Sequence, residues 1–374
     1  MRSEDIECAY LAWLAHCAIP ADRKSVLIQT FLSGEAVYES FRRKDPTITE
    51  ILSPGQIRSM ERKAGKEELN QWYMTISKHG IRAITSCHPM FPVFLTQISD
   101  PASILFYQGQ FEIVNNRSVA MVGSRNSSAQ GLQAARSVSL KLSQLGITVV
   151  SGFAYGIDSA CHEGCLEGKA PTVAVMGCGL DQHYPSGNEP MRRRILDCGG
   201  LLLSEYAPGE QPFPYHFPYR NRIISGISQA VVLIEARIRS GSLTTINHAL
   251  NQGKEIFVYP GVPGSPYYEG NHILLREGAR YFTSALDIAE DMNWLDNPAD
   301  VAQNIDCSKT FEPHSENEKT ILDMLHSGPM SFEQMIAISN ISAADLMQVL
   351  TMLQIRGIVE SLPGKNYQIN HTKR

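Results

Sequence analysis

The spacing of apolar residues changes twice along the chain. Residues 1 to about 78 place them three and four apart, as in ECAYLAWLAHCAI and RKSVLIQTFLSGEAVYESF. That spacing predicts amphipathic helices. Pro20 breaks between these two, and SPGQIRSM reads as a helix start with Pro54 early in it. Leu14, Leu27, Ile28 and Phe31 are the expected core of this helical domain. From about 117 onward the apolar residues come in continuous runs: VAMVG, ITVVSG, TVAVMG, LLLSE, AVVLIEA and EIFVYPG. Between most of them lie helical segments such as AQGLQAARSVSLKLSQLG. Continuous apolar strands alternating with helices predict an α/β fold, a doubly wound parallel sheet covered on both faces. The stretch 79–110 is apolar, short and punctuated by proline, and reads as a connector. Residues 296–317 are polar and aperiodic, a linker. Beyond it, EKTILDMLHSG, SFEQMIAIS and SAADLMQVLTMLQIRG predict three helices, and IVESLPGKNYQI a hairpin turning at Pro363-Gly364. Three helices with a two-stranded wing make a winged helix. The expected layout is a helical domain at 1–78, the sheet domain at 79–295, the linker at 296–317 and the winged helix at 318–374.

Composition narrows the class. No apolar run is long enough to span a membrane, and the acidic start, MRSEDIECAY, is unlike a signal peptide. The eight cysteines are scattered and complete no zinc set, so reduced, mostly buried thiols in a cytoplasmic protein are expected, with no metal. The net charge of −5 argues against a nucleic-acid binder held by bulk charge alone. Its distribution changes that picture. From Ile113 to Met292, 15 Lys and Arg balance 15 Asp and Glu, and 12 of the 15 cations are Arg. The guanidinium fork suits phosphate oxygens and stacks on bases.

The chemistry-bearing turns fall where the strand runs end, the position at which doubly wound sheets bind ligands. Gly123-Ser124-Arg125 follows the first run. Glycine allows close backbone approach, the helix start behind it favours an anion, and Arg125 adds a charged fork. The G-x-G-x-x-G spacing of a dinucleotide site is absent, and no cofactor is expected. Ser151-Gly152 opens a second such turn, SGFAYGID. Asp158 and His162 lie one helical turn apart there and read as a cap or surface pair, not as catalytic residues. The long segment Tyr206 to Tyr219 is rich in proline and aromatics and leads into FPYRNRIISGISQ. Arg220, Asn221 and Arg222 follow Phe213, Tyr215, Phe217 and Tyr219. Aromatics interleaved with arginine suit stacked bases and tracked phosphates, although such rings also pack loops onto sheets. Arg237 and Arg239 precede Ser240, Gly241 and Ser242, whose N–H groups stand at another helix start. The triplet Arg192 to Arg194 reads as a solvated helix face.

Taken together, FPVFLTQISDPASILFYQG, VAMVGSRNSSAQG, VVSGFAYGIDSACHEGCL, FPYRNRIISGIS, RSGSLTTINHALNQGKEIFVYPG and GNHILLREGA resemble, in order, the DprA/Smf family of bacterial DNA-processing proteins. The resemblance covers roughly 80 to 290. It implies an extended Rossmann-type domain that binds single-stranded DNA without cleaving it, forms a homodimer and delivers the strand to the RecA recombinase in natural transformation. Members often carry a small helical domain (SAM or helix-hairpin-helix-like) before it and a winged helix after it. By position, Arg125 is the phosphate contact, and Arg220, Arg222 and the turn Ser240, Gly241 and Ser242 line the same pocket; Gly123, Ser124, Ser151, Gly152, Phe217 and Asn221, from the turns read above, complete the expected DNA-binding set. His272, Leu274, Leu275 and Leu286 fall in the segment expected to supply the dimer and recombinase surface. One departure is Ser186, where the family often places a basic residue after Tyr-Pro; the nearby Arg triplet is the candidate substitute.

An enzymatic alternative is a nucleotide monophosphate phosphoribohydrolase, whose P-G-G-x-G-T-x-x-E signature needs its glutamate. Here RSGSLTTIN puts Asn247 at that place, and Asn cannot act as a carboxylate base. A winged-helix transcription factor is the third reading. SAADLMQVLTMLQIRG carries one acid, one base and many apolar residues, which fits protein contact better than a DNA backbone.

Overall fold

A computed structural model describes residues 3–168, 170–295, 316–326, 330–339, 341–355, 359–362 and 366–369. The chain divides into two compact units, Met1–Trp294 and Leu295–Arg374.

The six apolar runs form strands β3 (Ser118–Gly123), β4 (Thr148–Ser151), β5 (Thr172–Met176), β6 (Leu201–Ser204), β7 (Ala230–Glu235) and β8 (Glu255–Val258). All pair in parallel, in the order β6-β5-β4-β3-β7-β8. A short β9 (Arg280–Tyr281) extends the β8 edge. The stretch expected to be a connector is instead structured. It holds β1 (Arg82–Thr85) and β2 (Ile104–Gly109), which pair antiparallel to each other and on to β6, completing nine strands. Its prolines fall outside these strands, where no ladder donor is lost.

Helices α1 (Ser3–His16), α2 (Ala21–Phe31), α3 (Gly34–Arg42), α4 (Pro46–Ile51), α5 (Pro54–Lys63) and α6 (Lys66–His79) make up the first region. Ser53 caps α5 in a reciprocal capping box, with Pro54 in its first turn. Leu14, Leu27 and Ile28 are buried and Phe31 packs against them. This core is continuous with the sheet, since Ile104, Phe106, Ala174, Met176 and Leu202 belong to it. The alternate residues Val173, Val175, Leu201 and Leu203 face the other way. The two-residue period of a strand thus feeds two separate layers.

The second layer is built by α7 (Val93–Thr96), α11 (His216–Gly226) and α12 (Ser242–Asn251) with α13 (Glu269–Arg276). The remaining helices of this unit are α8 (Ala129–Gln144), α9 (Ile157–Leu166), α10 (Glu189–Asp197) and α14 (Ala285–Asp291). Among the described residues no helix is long and apolar enough to cross a membrane. The described cysteines are free; Cys8, Cys17, Cys161, Cys165 and Cys178 are buried, while Cys87 and Cys198 are exposed.

In the second unit, α15 (Glu316–His326), α16 (Phe332–Ser339) and α17 (Ala343–Ile355) enclose Ile321, Leu325, Met335, Leu346, Leu350 and Leu353. Strands β10 (Met330–Ser331), β12 (Asn366–Ile369) and β11 (Val359–Leu362) form an antiparallel sheet in that order. The expected turn at Pro363-Gly364 and the linker up to residue 315 lie outside the described residues.

Candidate functional site

The chain runs β3 to β6 toward one edge of the sheet, then returns to place β7 on the other side of β3. The turns after β3 and β7 therefore diverge, leaving a crevice at the carboxyl end of the sheet. The pairing of β3 with β7 also slips between Val122 and Gly123. A cavity of about 610 Å³ occupies this crevice. Every parallel strand from β3 to β7 sends a following turn to its wall: Gly123 to Asn126, Ala154 and Asp158, Tyr184, Pro212 to Asn221, and Arg237 to Thr245.

The Gly-Ser-Arg turn is held at both ends by one residue. Ser124 N–H donates to the Glu235 carbonyl at 2.8 Å. Ser128 N–H donates to both Glu235 carboxyl oxygens at 3.0 and 3.1 Å, and Ser128 Oγ–H also donates to Oε2. Ser128 Oγ in turn caps α8 by accepting from Gly131 N–H. The anion expected at this helix start is thus the protein's own Glu235, which is fully buried. Arg125 is left exposed on the turn, its Cζ 5.2 Å from the centroid of the Phe217 ring. Tyr184 lies on that ring too, 5.4 Å between centroids. Gly156, at φ +80°, closes the back of the turn, where a Cβ would meet the Ser124 and Arg125 carbonyl oxygens at 2.4 and 2.6 Å.

Arg220 reaches the cavity from α11 with only 3% exposure. Its Nη1 donates to the carbonyls of Gly152 and Val175. A Cβ on Gly152 would stand 2.9 Å from Arg220 Nη2 and 2.7 Å from Asp158 Oδ2. Glycine is therefore required for the two side chains to converge. Burial raises the Asp158 carboxyl, against the pull of the Arg220 guanidinium. Burial lowers Arg220 to about 10, opposed by Asp158 and reinforced by Arg125. It stays protonated at neutral pH. Arg237 and Arg239 complete the charged wall, so the lining carries four guanidiniums against one carboxyl. That is a concentrated positive field in a chain of net charge −5.

Several expected contacts lie elsewhere. Arg222 does not line the cavity. Two positions along a helix from Arg220, it faces the opposite side, bonds Glu205 at 2.7 Å and the Asp100 carbonyl at 3.0 Å, and lies over Tyr219 at 3.9 Å. Ser151 is fully buried under the pocket, donating to the Met121 carbonyl. The turn at 240–242 lines the cavity, but its donors are mostly committed: Ser242 N–H to Ser240 Oγ, Leu243 N–H to the Ser240 carbonyl. Asp158 and His162 are not a surface pair; both are buried, and His162 bonds Thr172 Oγ1 at 2.8 Å. Of the Arg triplet, Arg192 is buried on Gln108 and the Leu180 and Gln182 carbonyls, and none of the three lines the cavity. Ser186 also lies outside the lining, and Arg193 and Arg194 are exposed. Asn247 is exposed on α12 and also lies outside the lining. His272 bonds the Pro260 carbonyl at 2.9 Å, and Leu274 and Leu275 pack half-buried against the sheet. With half-buried Leu286, they stand outside the pocket.

Sequence reasoning missed Glu235. The available signal was an acid ending the apolar run AVVLIEA, a place where a carboxyl needs a partner.

Residues 82–293 match the model of the DNA recombination-mediator protein A family, more than half of the chain. The chain belongs to the DprA/Smf family. The DprA winged helix domain matches at residues 309–365. DNA processing protein DprA of Streptococcus pneumoniae is 41% identical over 207 residues, 54% of this chain and 72% of that protein. A putative DprA of Mycobacterium tuberculosis is 28% identical across 97% of this chain and 91% of its own length. The solved structure of S. pneumoniae DprA covers 78% of this chain and 98% of its own at a TM-score of 0.58 and 31% identity. The solved structure of Helicobacter pylori DNA processing protein A, described for its single-stranded DNA binding mode, covers 57% of this chain and 96% of its own. Its TM-score is 0.52 at 25% identity.

Proposed function

We propose that the chain binds single-stranded DNA in the switch-point crevice without cleaving it. Arg125, Arg220, Arg237 and Arg239 meet successive phosphates, and the Phe217 ring receives a base. The observation that carries this reading is the convergence of four guanidiniums and Phe217 on one cavity at the sheet's carboxyl end. The single-stranded DNA binding described for the H. pylori relative supports it. Binding rather than turnover fits the lining, whose one carboxyl, Asp158, is turned toward Arg220 and lowers the cost of burying that charge. The phosphoribohydrolase alternative lacks the glutamate of its signature: Asn247, at that place, is an amide outside the lining.

On this reading the protein works in the cytoplasm as a homodimer that hands the strand to the RecA recombinase during natural transformation. The segment from His272 to Leu286 is the proposed contact surface. Arg125→Ala with Arg220→Ala tests the pocket. Loss of two charge-assisted contacts predicts weakening by roughly 100-fold or more. The salt slope is expected to flatten by about 1.4, at roughly 0.7 per single-strand phosphate contact. Fluorescence anisotropy on a labelled oligothymidylate measures both, and unchanged affinity in the folded double variant refutes the assignment.

A further inference from the structure

The segment entering α11 carries two aromatic rings that the crevice does not use. Phe213 is 42% exposed and Tyr215 67% exposed. Their rings are parallel within 6°, with centroids 5.6 Å apart. Both stand edge-on to His216, at 5.4 and 4.6 Å. His216 is itself fixed: buried, stacked on Tyr206 at 3.9 Å, and bonded through Nδ1 to the Gly177 carbonyl. The pair is therefore held in place from beneath while its outer surface faces solvent. The flanking Pro212 and Pro214, together with Phe217, line the charged cavity. The rings are thus continuous with the cavity wall. Rigid, exposed, flat apolar surface beside a phosphate-binding wall suits a ligand with its own π-face, and base–aromatic stacking tolerates every base.

We propose that Phe213 and Tyr215 form an outer stacking platform for one further unpaired nucleobase of the strand held in the crevice. This rests on the DNA-binding reading above. The strand is then held by stacking at Tyr215 and by charge at Arg237 and Arg239, where Arg237 lies 4.3 Å over Tyr267. The two kinds of contact have separable signatures. Stacking depends on the base and little on salt, whereas each lost phosphate contact flattens the salt dependence.

The test compares wild type, Tyr215→Ala and Tyr215→Phe on a labelled oligothymidylate and on a strand of equal length built from abasic residues. Tyr215→Ala is expected to weaken oligothymidylate binding roughly 10-fold with an unchanged salt slope, while Tyr215→Phe retains affinity. On the abasic strand all three proteins are expected to bind alike. Equal affinity of Tyr215→Ala and wild type for oligothymidylate overturns the platform, as does an equal loss on the abasic strand. Thermal melting of Tyr215→Ala checks that the exposed substitution leaves the fold intact. The Arg125→Ala, Arg220→Ala double variant separates the two failures. If it binds weakly while Tyr215→Ala binds normally, only the platform fails; if it too binds normally, the crevice reading fails.

Discussion

Gly152→Ala tests the site at its tightest point. The added methyl would stand 2.7 Å from Asp158 Oδ2 and 2.9 Å from Arg220 Nη2, so the two groups lie no more than 5.6 Å apart. At that separation their attraction is worth about 3 kcal/mol for an effective dielectric of about 20. Neither can move freely. Arg220 is pinned on the Gly152 and Val175 carbonyls, and Asp158 accepts from Ala154 N–H at 3.3 Å. Forcing a methyl into a packed site costs about 1–3 kcal/mol. The reduced freedom of Ala in the unfolded chain offsets about 0.4–1 kcal/mol of this. Net destabilisation of about 1–2 kcal/mol is expected from these opposing terms. The functional effect is larger. If Arg220 meets a phosphate as proposed, displacing it costs one charge-assisted contact, about 1.5–3 kcal/mol, or roughly 10- to 100-fold in affinity. The salt slope flattens by about 0.7. Anisotropy titrations across a salt series, run beside thermal melts, read both quantities. In Gly152→Ala, adding Arg220→Ala is expected to cost little more, because the two act on one contact. A folded Gly152→Ala protein with wild-type affinity and slope would refute the reasoning.

Three further outcomes follow from the structure. Glu235→Ala removes the acceptor of Ser128 N–H and Oγ–H and is expected to cost roughly 3 kcal/mol in denaturant unfolding. Glu235→Gln keeps one acceptor and is expected to cost less; equal midpoints for all three proteins contradict the clasp. His162 is buried with its pKa lowered to about 3, by burial first and then by Arg220. Because that value lies below the unfolded one of about 6.5, the unfolded chain takes up a proton between pH 6.5 and 3 that the folded protein refuses. Stability is therefore expected to fall across that window, by roughly 4–5 kcal/mol at its acid end, and His162→Leu to fall less steeply; parallel stability–pH curves sink this account. Ending the chain after Trp294, at the border between the compact units, is expected to leave most single-strand affinity intact. Loss of binding on that truncation would move the site.

The sequence by itself determined the sheet and the end of it at which the crevice opens. The six central strands are continuous apolar runs because both of their faces are covered, and buried strands leave little else for a sequence to encode. Gly-Ser-Arg, Ser-Gly, the aromatic–Arg segment and Arg-Ser-Gly-Ser end those runs, so their gathering at one sheet end follows from parallel connections. Only the tertiary structure decided which side chains meet there. Arg220 and Arg222 look equivalent on either side of Asn221, but residues two apart on a helix face nearly opposite ways. One enters the cavity and the other, itself buried, pairs with Glu205 and Asp100. Strand β2 was illegible because its partner β6 lies about a hundred residues downstream, and β1 is a four-residue edge strand whose one partner is β2. Glu235 and Ser128, 107 residues apart, likewise carry no local signature of each other. Periodicity reports the face that an element buries; it does not report which distant group satisfies the charge placed there.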